Sequence, residues 1–174
     1  MMYNPQIHHR GSIRLRGYDY SQQGSYFITI CTQNHECRLG KIVEGKMYWT
    51  FGGWIAYQAW IEIPQHFEHV ELDQFIVMPN HIHGIIVINN ISTNKEQLTT
   101  PELWKIVAYY KYKTTKLINE IDDALGSRVW QRNYYDRIIR NEQELSATRQ
   151  YIINNPANSS KDQNNPHHQN PLIS

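Results

Sequence analysis

The chain has 174 residues, of which 40% are hydrophobic, and 17 Lys and Arg residues nearly balance 16 Asp and Glu residues. This length suits one domain with a sizeable core. The formal charge of +1 excludes a polycation and a highly acidic protein, so any nucleic-acid surface must be a local feature. No apolar stretch approaches the length of a membrane span or a signal-peptide core. We therefore expect a soluble, cytoplasmic protein.

The N-terminal stretch is polar and basic, with Arg14 and Arg16 shortly before the first apolar segment. We interpret residues 1–24 as a basic arm. Residues 25–33 (SYFITICTQ) are rich in aromatic and β-branched side chains, which are typical of strands, and they predict the first strand of the fold.

Residues 47–67 follow turn signals and predict the first helix. In this segment Trp54, Tyr57 and Ile61 recur at helical spacing, and the pattern stops near Pro64. Because these apolar residues share one side of a helix, we expect that side to pack on a sheet.

Residues 70–90 (VELDQFIVMPNHIHGIIVINN) contain two apolar runs separated by a turn at Pro79 and Asn80. Proline and asparagine are common turn residues, so the two runs predict a β-hairpin. The second run contains His81 and His83 within an otherwise apolar strand.

The second half of the chain predicts a helix, a strand and a helix. Residues 101–121 carry apolar residues at helical spacing, residues 128–141 are strand-like and rich in arginine, and residues 142–155 are helical up to Pro156. Residues 159–174 contain too few apolar side chains for a core and predict a flexible tail.

The predicted order of elements is β α β β α β α. This order favours an α+β sandwich in which helices cover an antiparallel sheet. We therefore expect one folded domain over residues 25–158, between the basic arm and the tail.

His81 and His83 are the first candidate functional residues. Side chains alternate along a strand, so both imidazoles point to one face while Ile82 points to the other. Neutral imidazole is a common metal ligand, and two at this spacing fit a divalent ion at a sheet surface. The same spacing also fits two histidines at the solvated end of a hairpin.

Tyr151 and Asn155, in the last predicted helix, are the second candidate group. Residues four apart share a helix face, so a phenol nucleophile and an amide-oxygen ligand would face one metal. Helical tyrosines are more often core or rim residues, and Asn155 also suits a helix C-cap before Pro156. These two residues alone leave both interpretations open.

Two basic clusters, in residues 105–116 and 128–140, are interleaved with aromatic residues. They are candidate nucleic-acid contacts, because cations bind phosphates and flat rings stack on bases. A solvated helix face and an edge strand explain the same pattern. Together with the arm, the candidate DNA-binding residues are Arg14, Arg16, Lys105, Lys111, Lys113, Lys116, Arg128, Arg132, Arg137 and Arg140.

Three segments carry a family resemblance: RLRGYDYSQQGSYFITICTQ, IPQHFEHVELDQFIVMPNHIHGIIVI and VWQRNYYDRIIRNEQELSATRQYIINNP. They extend over nearly the whole predicted domain. In this order they resemble the REP-associated tyrosine transposases, a branch of the single-tyrosine HUH transposases.

The resemblance implies a ferredoxin-like α+β fold, with His81 and His83 on a central strand and the nucleophile Tyr151 on a late helix. It implies that Asn155 completes a site for Mg²⁺ or Mn²⁺ with the two histidines. It also implies an endonuclease and transposase that cuts single-stranded DNA near hairpins or palindromic repeats through a covalent 5′-phosphotyrosine, leaving a 3′-hydroxyl. One departure is Ser159, because family members often have a tryptophan shortly after the Asn-Pro pair.

Two other functions fit the same residues. One is a non-catalytic nucleic-acid-binding module that keeps the fold and the basic clusters. The other is a metal-dependent hydrolase of small phosphoesters, in which water replaces Tyr151. Either a monomer or a homodimer is compatible with the sequence.

Overall fold

The computed structural model describes residues 23–89, 103–162 and 164. Four strands form one antiparallel sheet in the order β4-β5-β1-β6, and β2 and β3 form a separate hairpin. None of the described helices is long and apolar enough to cross a membrane. In chain order the strands and helices are β1 (Gly24–Cys31), β2 (Gly40–Val43), β3 (Lys46–Trp49), α1 (Phe51–Ile61), α2 (Ile63–His66), β4 (Val70–Val77), β5 (His81–Ile88), α3 (Leu103–Ile121), β6 (Tyr135–Ile139) and α4 (Glu142–Asn154).

The four-stranded sheet confirms the predicted ferredoxin-like α+β fold, with helices packed on both faces. On one face, Ile82 and Ile86 of β5 belong to a core that includes Trp60 of α1 and Tyr110 of α3. On the other face, Ile85 packs in a smaller cluster with α4. Strand β5 is therefore buried on both sides, as expected for a strand covered by two helical layers.

The first helix is present, but it buries a different side from the predicted one. Trp54 and Ile61 are 50% and 38% exposed, whereas Ala56, Ala59 and Trp60 are buried. Apolar residues surround α1 on all sides, so helical spacing alone did not identify the buried side. The two alanines leave room for close packing, and the indole of Trp60 fills the core between the helix and the sheet.

The β2–β3 hairpin differs from the sequence prediction, which assigned residues 47–49 to the first helix. Glu44 and Gly45 turn the chain with φ angles of 50° and 72°. A two-residue hairpin turn of type I′ requires positive φ at both central residues. Helix α1 then begins after Thr50, whose Oγ1 accepts a hydrogen bond from the Gly53 amide at 3.2 Å.

Helices α3 and α4 are present as predicted, but the strand predicted over residues 128–141 is shorter. Regular pairing is confined to β6, and Trp130 before it pairs with Thr32 through an isolated bridge. The Trp130 indole is buried and donates to Thr114 Oγ1 of α3 at 2.7 Å. This segment is therefore held by a few main-chain hydrogen bonds to the end of β1 and by the side-chain contact with α3.

The chain after α4 also differs from the predicted tail, which was expected to begin at residue 159. Residues Ser159–Lys161 form a 3₁₀ turn, and Asp162 after it is 6% exposed. Asp162 Oδ1 accepts hydrogen bonds from the main-chain and side-chain nitrogens of Asn164 at 2.9 and 3.2 Å. The contacts of the domain therefore continue beyond residue 158, and residues 165–174 lie outside the described part of the chain.

Candidate active site

His81 and His83 lie side by side on the face of the sheet that α4 covers. Their ring centroids are 4.5 Å apart. Each residue is 1% exposed, so the pair does not lie at the solvated end of a hairpin. The two imidazoles belong instead to a buried polar cluster between β5 and the segments that pack over it.

The His83 ring is fixed on three sides. Its Nδ1 lies 2.8 Å from Thr29 Oγ1, its Nε2 lies 3.3 Å from Tyr151 Oη, and the ring stacks on Phe27 with centroids 5.3 Å apart. Burial lowers the pKa of His83, and the charge of the neighbouring His81 lowers it further. A neutral imidazole has one nitrogen lone pair available for a metal ion or a proton.

The His81 ring is oriented by Asn80. The Asn80 Nδ2 donates to the main-chain oxygen of Asn164 at 2.6 Å, which leaves Asn80 Oδ1 to accept from His81 Nδ1 at 2.8 Å. In a neutral ring the lone pair is then on His81 Nε2, which lies 3.1 Å from Asp162 Oδ2. Two lone pairs at this distance repel unless a proton or a cation lies between them.

Asp162 is the acidic member of the cluster, and the sequence analysis did not identify it. Burial raises the pKa of its carboxyl group, but hydrogen bonding and charge attraction from His81 outweigh this effect and hold the pKa below its usual range. The carboxylate is therefore ionised at neutral pH. Its sequence signal is weak, since it is one acidic residue in a polar stretch after the last predicted helix.

The donor atoms of this cluster fit a divalent cation. His81, His83 and Asp162 each offer one ligand atom, and these atoms lie within 4.8 Å of one another. Within the described residues Asn155 Oδ1 is buried without a hydrogen-bond partner, and the buried His81 Nε2 and Asp162 Oδ2 face each other at a distance that needs a proton or a cation between them. Because buried polar atoms nearly always have partners, this group of atoms indicates a cation site. Two imidazole nitrogens and carboxylate or amide oxygens suit Mn²⁺ and are compatible with Mg²⁺.

Tyr151 lies at the mouth of this cluster. It is 46% exposed, and its hydroxyl lies 3.3 Å from His83 Nε2. Burial raises the pKa of Tyr151, the charge of Asp162 raises it further, and the nearby side chain of Asn155, one turn later, lowers it. The phenol is therefore accessible to a substrate, but it needs nearby positive charge to become a phenolate at neutral pH.

Two openings flank Tyr151. The first, which we call the basic groove, has a volume of about 570 Å³ and is bordered by Phe27, His83, Tyr135 and Arg137. The second has a volume of about 530 Å³ and is bordered by side-chain amides. An extended ligand that lies across Tyr151 would therefore contact both openings. The amide residues of the second opening are Gln150, Asn154, Asn155, Asn158 and Asn164.

Residues of the two predicted basic clusters meet on one surface, which we call the basic surface. It borders a cavity of about 600 Å³ between α3 and the segment before β6. The Gln131 amide in this segment donates to Cys31 O at 2.9 Å, and Cys31 pairs with His81 in the sheet. The basic surface and the histidine cluster therefore lie at the same end of β1. The basic residues of this surface are Lys111, Lys116, Arg128 and Arg132.

Lys111 has a structural role that the sequence analysis did not include. Its Nζ donates to the main-chain oxygens of Gln131 and Asn133 at 2.9 and 3.0 Å. Burial lowers the pKa of Lys111 to about 8. These contacts hold the segment before β6 against α3.

The other lysine and arginine residues predicted to bind DNA do not belong to the basic surface. Lys113 forms an ion pair with Glu62, and the Lys105 amine lies 5.5 Å from the ring centroid of Trp104. Arg137 borders the basic groove, and Arg140 is exposed after β6. Arg14 and Arg16 lie outside the described residues.

The fold is similar to that of a solved REP-associated tyrosine transposase bound to a REP hairpin. The match has a TM-score of 0.59 and 19% sequence identity, and it covers 86% of this chain and 76% of that chain. At this identity the comparison shows a shared fold. The chain therefore shares the fold of that transposase, and its own structure places a buried cluster of histidine and carboxylate side chains next to an accessible tyrosine.

The chain also has a much closer relative in sequence. It is 39% identical, over an alignment 174 positions long, to an uncharacterized protein of Haemophilus influenzae, and the match covers 92% of this chain and 96% of that protein. The chain belongs to the same family as this Haemophilus influenzae protein. No family model matches the sequence.

Proposed function

We propose that this protein is a cytoplasmic, metal-dependent endonuclease and transposase of the REP-associated branch of the single-tyrosine HUH enzymes. Its substrate would be single-stranded DNA near hairpins or palindromic repeats. The observation that carries the proposal is the accessible Tyr151 hydroxyl, 3.3 Å from His83 Nε2 and next to a buried cluster that fits a cation. The fold shared with a transposase that binds a REP hairpin supports it.

The proposed ligands of the ion are His81, His83 and Asp162, together with Asn155. When bound, Mg²⁺ or Mn²⁺ supplies positive charge that favours the phenolate and offsets the charge of the phosphate oxygens. Asp162 thus joins the ligand set that the sequence implies. Its carboxylate also balances the charge of the ion in this buried location.

The protein side chains set the position of the nucleophile. The hydrogen bond with Thr29 and the stacking on Phe27 fix the His83 ring, and Tyr151 lies against that ring with centroids 5.2 Å apart. The Asn155 side chain, one turn later, lies close enough to the phenol to lower its pKa. An accessible oxygen held in one orientation favours in-line attack on a phosphodiester.

In the chemical step, one oxygen–phosphorus bond forms and another breaks. Tyr151 Oη gives its proton to solvent and bonds to the phosphorus, while the bond from phosphorus to O3′ breaks and O3′ leaves with the electron pair. O3′ then takes a proton, which gives a free 3′-hydroxyl and a 5′-phosphotyrosine. Because one phosphate ester replaces another, the linkage stays reactive and a 3′-hydroxyl can attack it in a second transfer.

The basic surface gives DNA a second region to contact at this end of the sheet. It combines Arg128 and Arg132 with Tyr112, whose ring is largely exposed. Cations and accessible rings together suit phosphates and unpaired bases. We propose that this surface contacts the DNA that flanks the cut strand.

An adduct assay tests the proposed function. The purified protein is incubated with hairpin oligonucleotides that are labelled at the 3′ end and carry single-stranded flanks, in the presence of Mn²⁺ or Mg²⁺, and covalent complexes are separated on a denaturing gel. We expect a labelled adduct that requires the ion and is lost in Tyr151→Phe. Tyr135→Phe is the matched control, since Tyr135 borders the same groove, and it should still form the adduct.

The same assay separates the two other functions. Hairpin binding without metal, and no cleavage with any ion tested, would favour a non-catalytic nucleic-acid-binding module. Hydrolysis of small phosphodiesters that survives Tyr151→Phe would favour a water-dependent hydrolase. An adduct that persists undiminished in Tyr151→Phe would show that another residue is the nucleophile.

A further inference from the structure

Arg137 holds a guanidinium group in the basic groove, on the same face of the sheet as Tyr151. Its Nη2 donates to Thr148 Oγ1 at 3.0 Å, and its Cζ lies 5.7 Å from the ring centroid of Phe27. An arginine has five N–H donors, and the Arg137 side chain is exposed. Most of its donors are therefore available to a ligand in the groove.

The Phe27 ring lies close both to Arg137 and to the reactive end of the groove. Its centroid lies 5.3 Å from that of His83 and 6.0 Å from that of Tyr151, and in the sheet Phe27 pairs with Arg137. The guanidinium and the nucleophile thus lie near the same aromatic ring. The hydrogen bond to Thr148 holds the guanidinium on the β6 side of the groove, so a phosphate next to the attacked one is the ligand that this position favours.

We propose that Arg137 binds the phosphodiester next to the cleaved one, which fixes the register of the DNA strand in the basic groove. This inference rests on the proposed function, and it assigns Arg137 a different task from the basic surface. A planar guanidinium forms two parallel hydrogen bonds with the oxygens of one phosphate. The contacts with Thr148 and Phe27 orient the group before DNA binds, so little side-chain freedom is lost on binding.

The surroundings of the groove favour this assignment. Among the predicted cations in the described part of the chain, Arg137 alone borders it. The neighbouring Asp136 also borders the groove, but successive side chains of a strand point to opposite faces, and Asp136 pairs with Ile28 of the main core. The face of β6 that carries Arg137 therefore presents a cation towards the groove.

A phosphate-substitution experiment tests the proposal. A set of oligonucleotides carries one uncharged methylphosphonate at each position in turn, and the wild type and Arg137→Gln are compared in single-turnover cleavage. On the unmodified strand we expect Arg137→Gln to be slower by about 10-fold to 100-fold, as for a lost hydrogen bond to a charged group. On the strand with the methylphosphonate next to the cleaved bond, the two proteins should react at equal rates.

Three variants distinguish phosphate binding from a structural role. Arg137→Lys keeps the charge but loses the two-pronged geometry, so it should give an intermediate rate with the same position dependence. Thr148→Val removes the hydrogen bond that Arg137 donates, together with the bond from Thr148 Oγ1 to the Glu144 main-chain oxygen, and it should keep the sensitivity to the neighbouring methylphosphonate. Arg132→Gln removes a cation from the basic surface, and any loss should be equal for all positions in the groove.

Equilibrium binding separates failure of this inference from failure of the proposed function. Fluorescence anisotropy in the Tyr151→Phe background measures the affinity for the same oligonucleotides without cleavage. In this background Arg137→Gln should weaken binding of every oligonucleotide except the one whose methylphosphonate is next to the cleaved bond. A wild type that forms no adduct would refute the proposed function while this position dependence still tests Arg137. An adduct in the wild type, with Arg137→Gln losing rate and affinity equally on every oligonucleotide or on none, would refute the inference alone.

Discussion

Gly84, the residue after His83 in β5, is predicted to tolerate no side chain. A Cβ added there would lie 2.2 Å from Trp60 Cζ2 and 2.8 Å from Cη2. The indole cannot withdraw easily, because its ring packs between Phe75 and Tyr110 with centroids 5.6 and 5.4 Å away. Overpacking of a well-packed core costs about 1–3 kcal/mol, and this close contact with a confined ring places Gly84→Ala in the upper half of that range.

Urea unfolding followed by tryptophan fluorescence measures this loss. Gly24→Ala is the matched control, because its added Cβ would lie 3.7 Å from the nearest atoms, in ordinary contact. We expect that control to be neutral or to gain about 0.4–1 kcal/mol from a less flexible unfolded chain. Trp60→Phe removes the atoms that clash, so its effect and that of Gly84→Ala should be non-additive by at least about 0.5 kcal/mol. Equal stabilities of the two alanine variants would refute this account of the packing beside His83.

Three further results are expected. Asp162→Asn should weaken Mn²⁺ binding in calorimetry by more than about 10-fold, since even loss of a ligand's outer partner has such an effect, whereas the exposed Asp122→Asn should not. Lys111→Met should lower the free energy of unfolding by about 1–3 kcal/mol through unpaired main-chain oxygens, and unchanged stability would contradict its structural role. The hydrogen bond from Arg149 lowers the pKa of Asp73 below its ordinary value of 3.8, so the stability from this pair is present above about pH 4 and is lost as the pH falls below that value. The stability difference between the wild type and Arg149→Gln should accordingly shrink in urea titrations below about pH 4, and a difference that grows there would contradict this sign.

The sequence predicted the positions of the two histidines because strand periodicity is a local property. Alternation along β5 places His81 and His83 on one face, and the structure shows their rings in contact while Ile82 packs in the opposite core. Helical spacing likewise predicts that Tyr151 and Asn155 share a face of α4. Their roles as nucleophile and ligand remain predictions for the adduct assay.

The place of Asp162 in the site depends on contacts between distant parts of the chain, which no local sequence pattern shows. It follows α4 in a stretch too polar to predict a core, and it becomes buried because the 3₁₀ turn redirects the chain towards β5. There Asn80 binds the main chain of Asn164, and His81 faces the carboxylate. Such contacts join residues some eighty positions apart, so they follow from the tertiary fold and not from spacing.

The buried side of α1 was predicted wrongly for a different reason. Trp54 and Trp60 both lie in an apolar helix, and six residues along a helix bring side chains to different sides. Only the shape of the sheet, with Gly84 leaving space for an indole, selects Trp60 for the core. The β2–β3 hairpin, in contrast, had a local signal in Glu44-Gly45 between two strand-forming runs, which the helical pattern of the next segment obscured.

Peptide mapping of the protein–DNA adduct tests the central claim most directly. Trypsin releases residues 150–161, in which Tyr151 is the sole tyrosine. After reaction with hairpin DNA and Mn²⁺, followed by nuclease and trypsin digestion, mass spectrometry should find this peptide with a 5′-linked nucleotide on the tyrosine. A nucleotide on any other peptide, or cleaved DNA with no covalently modified peptide, would contradict the proposed mechanism.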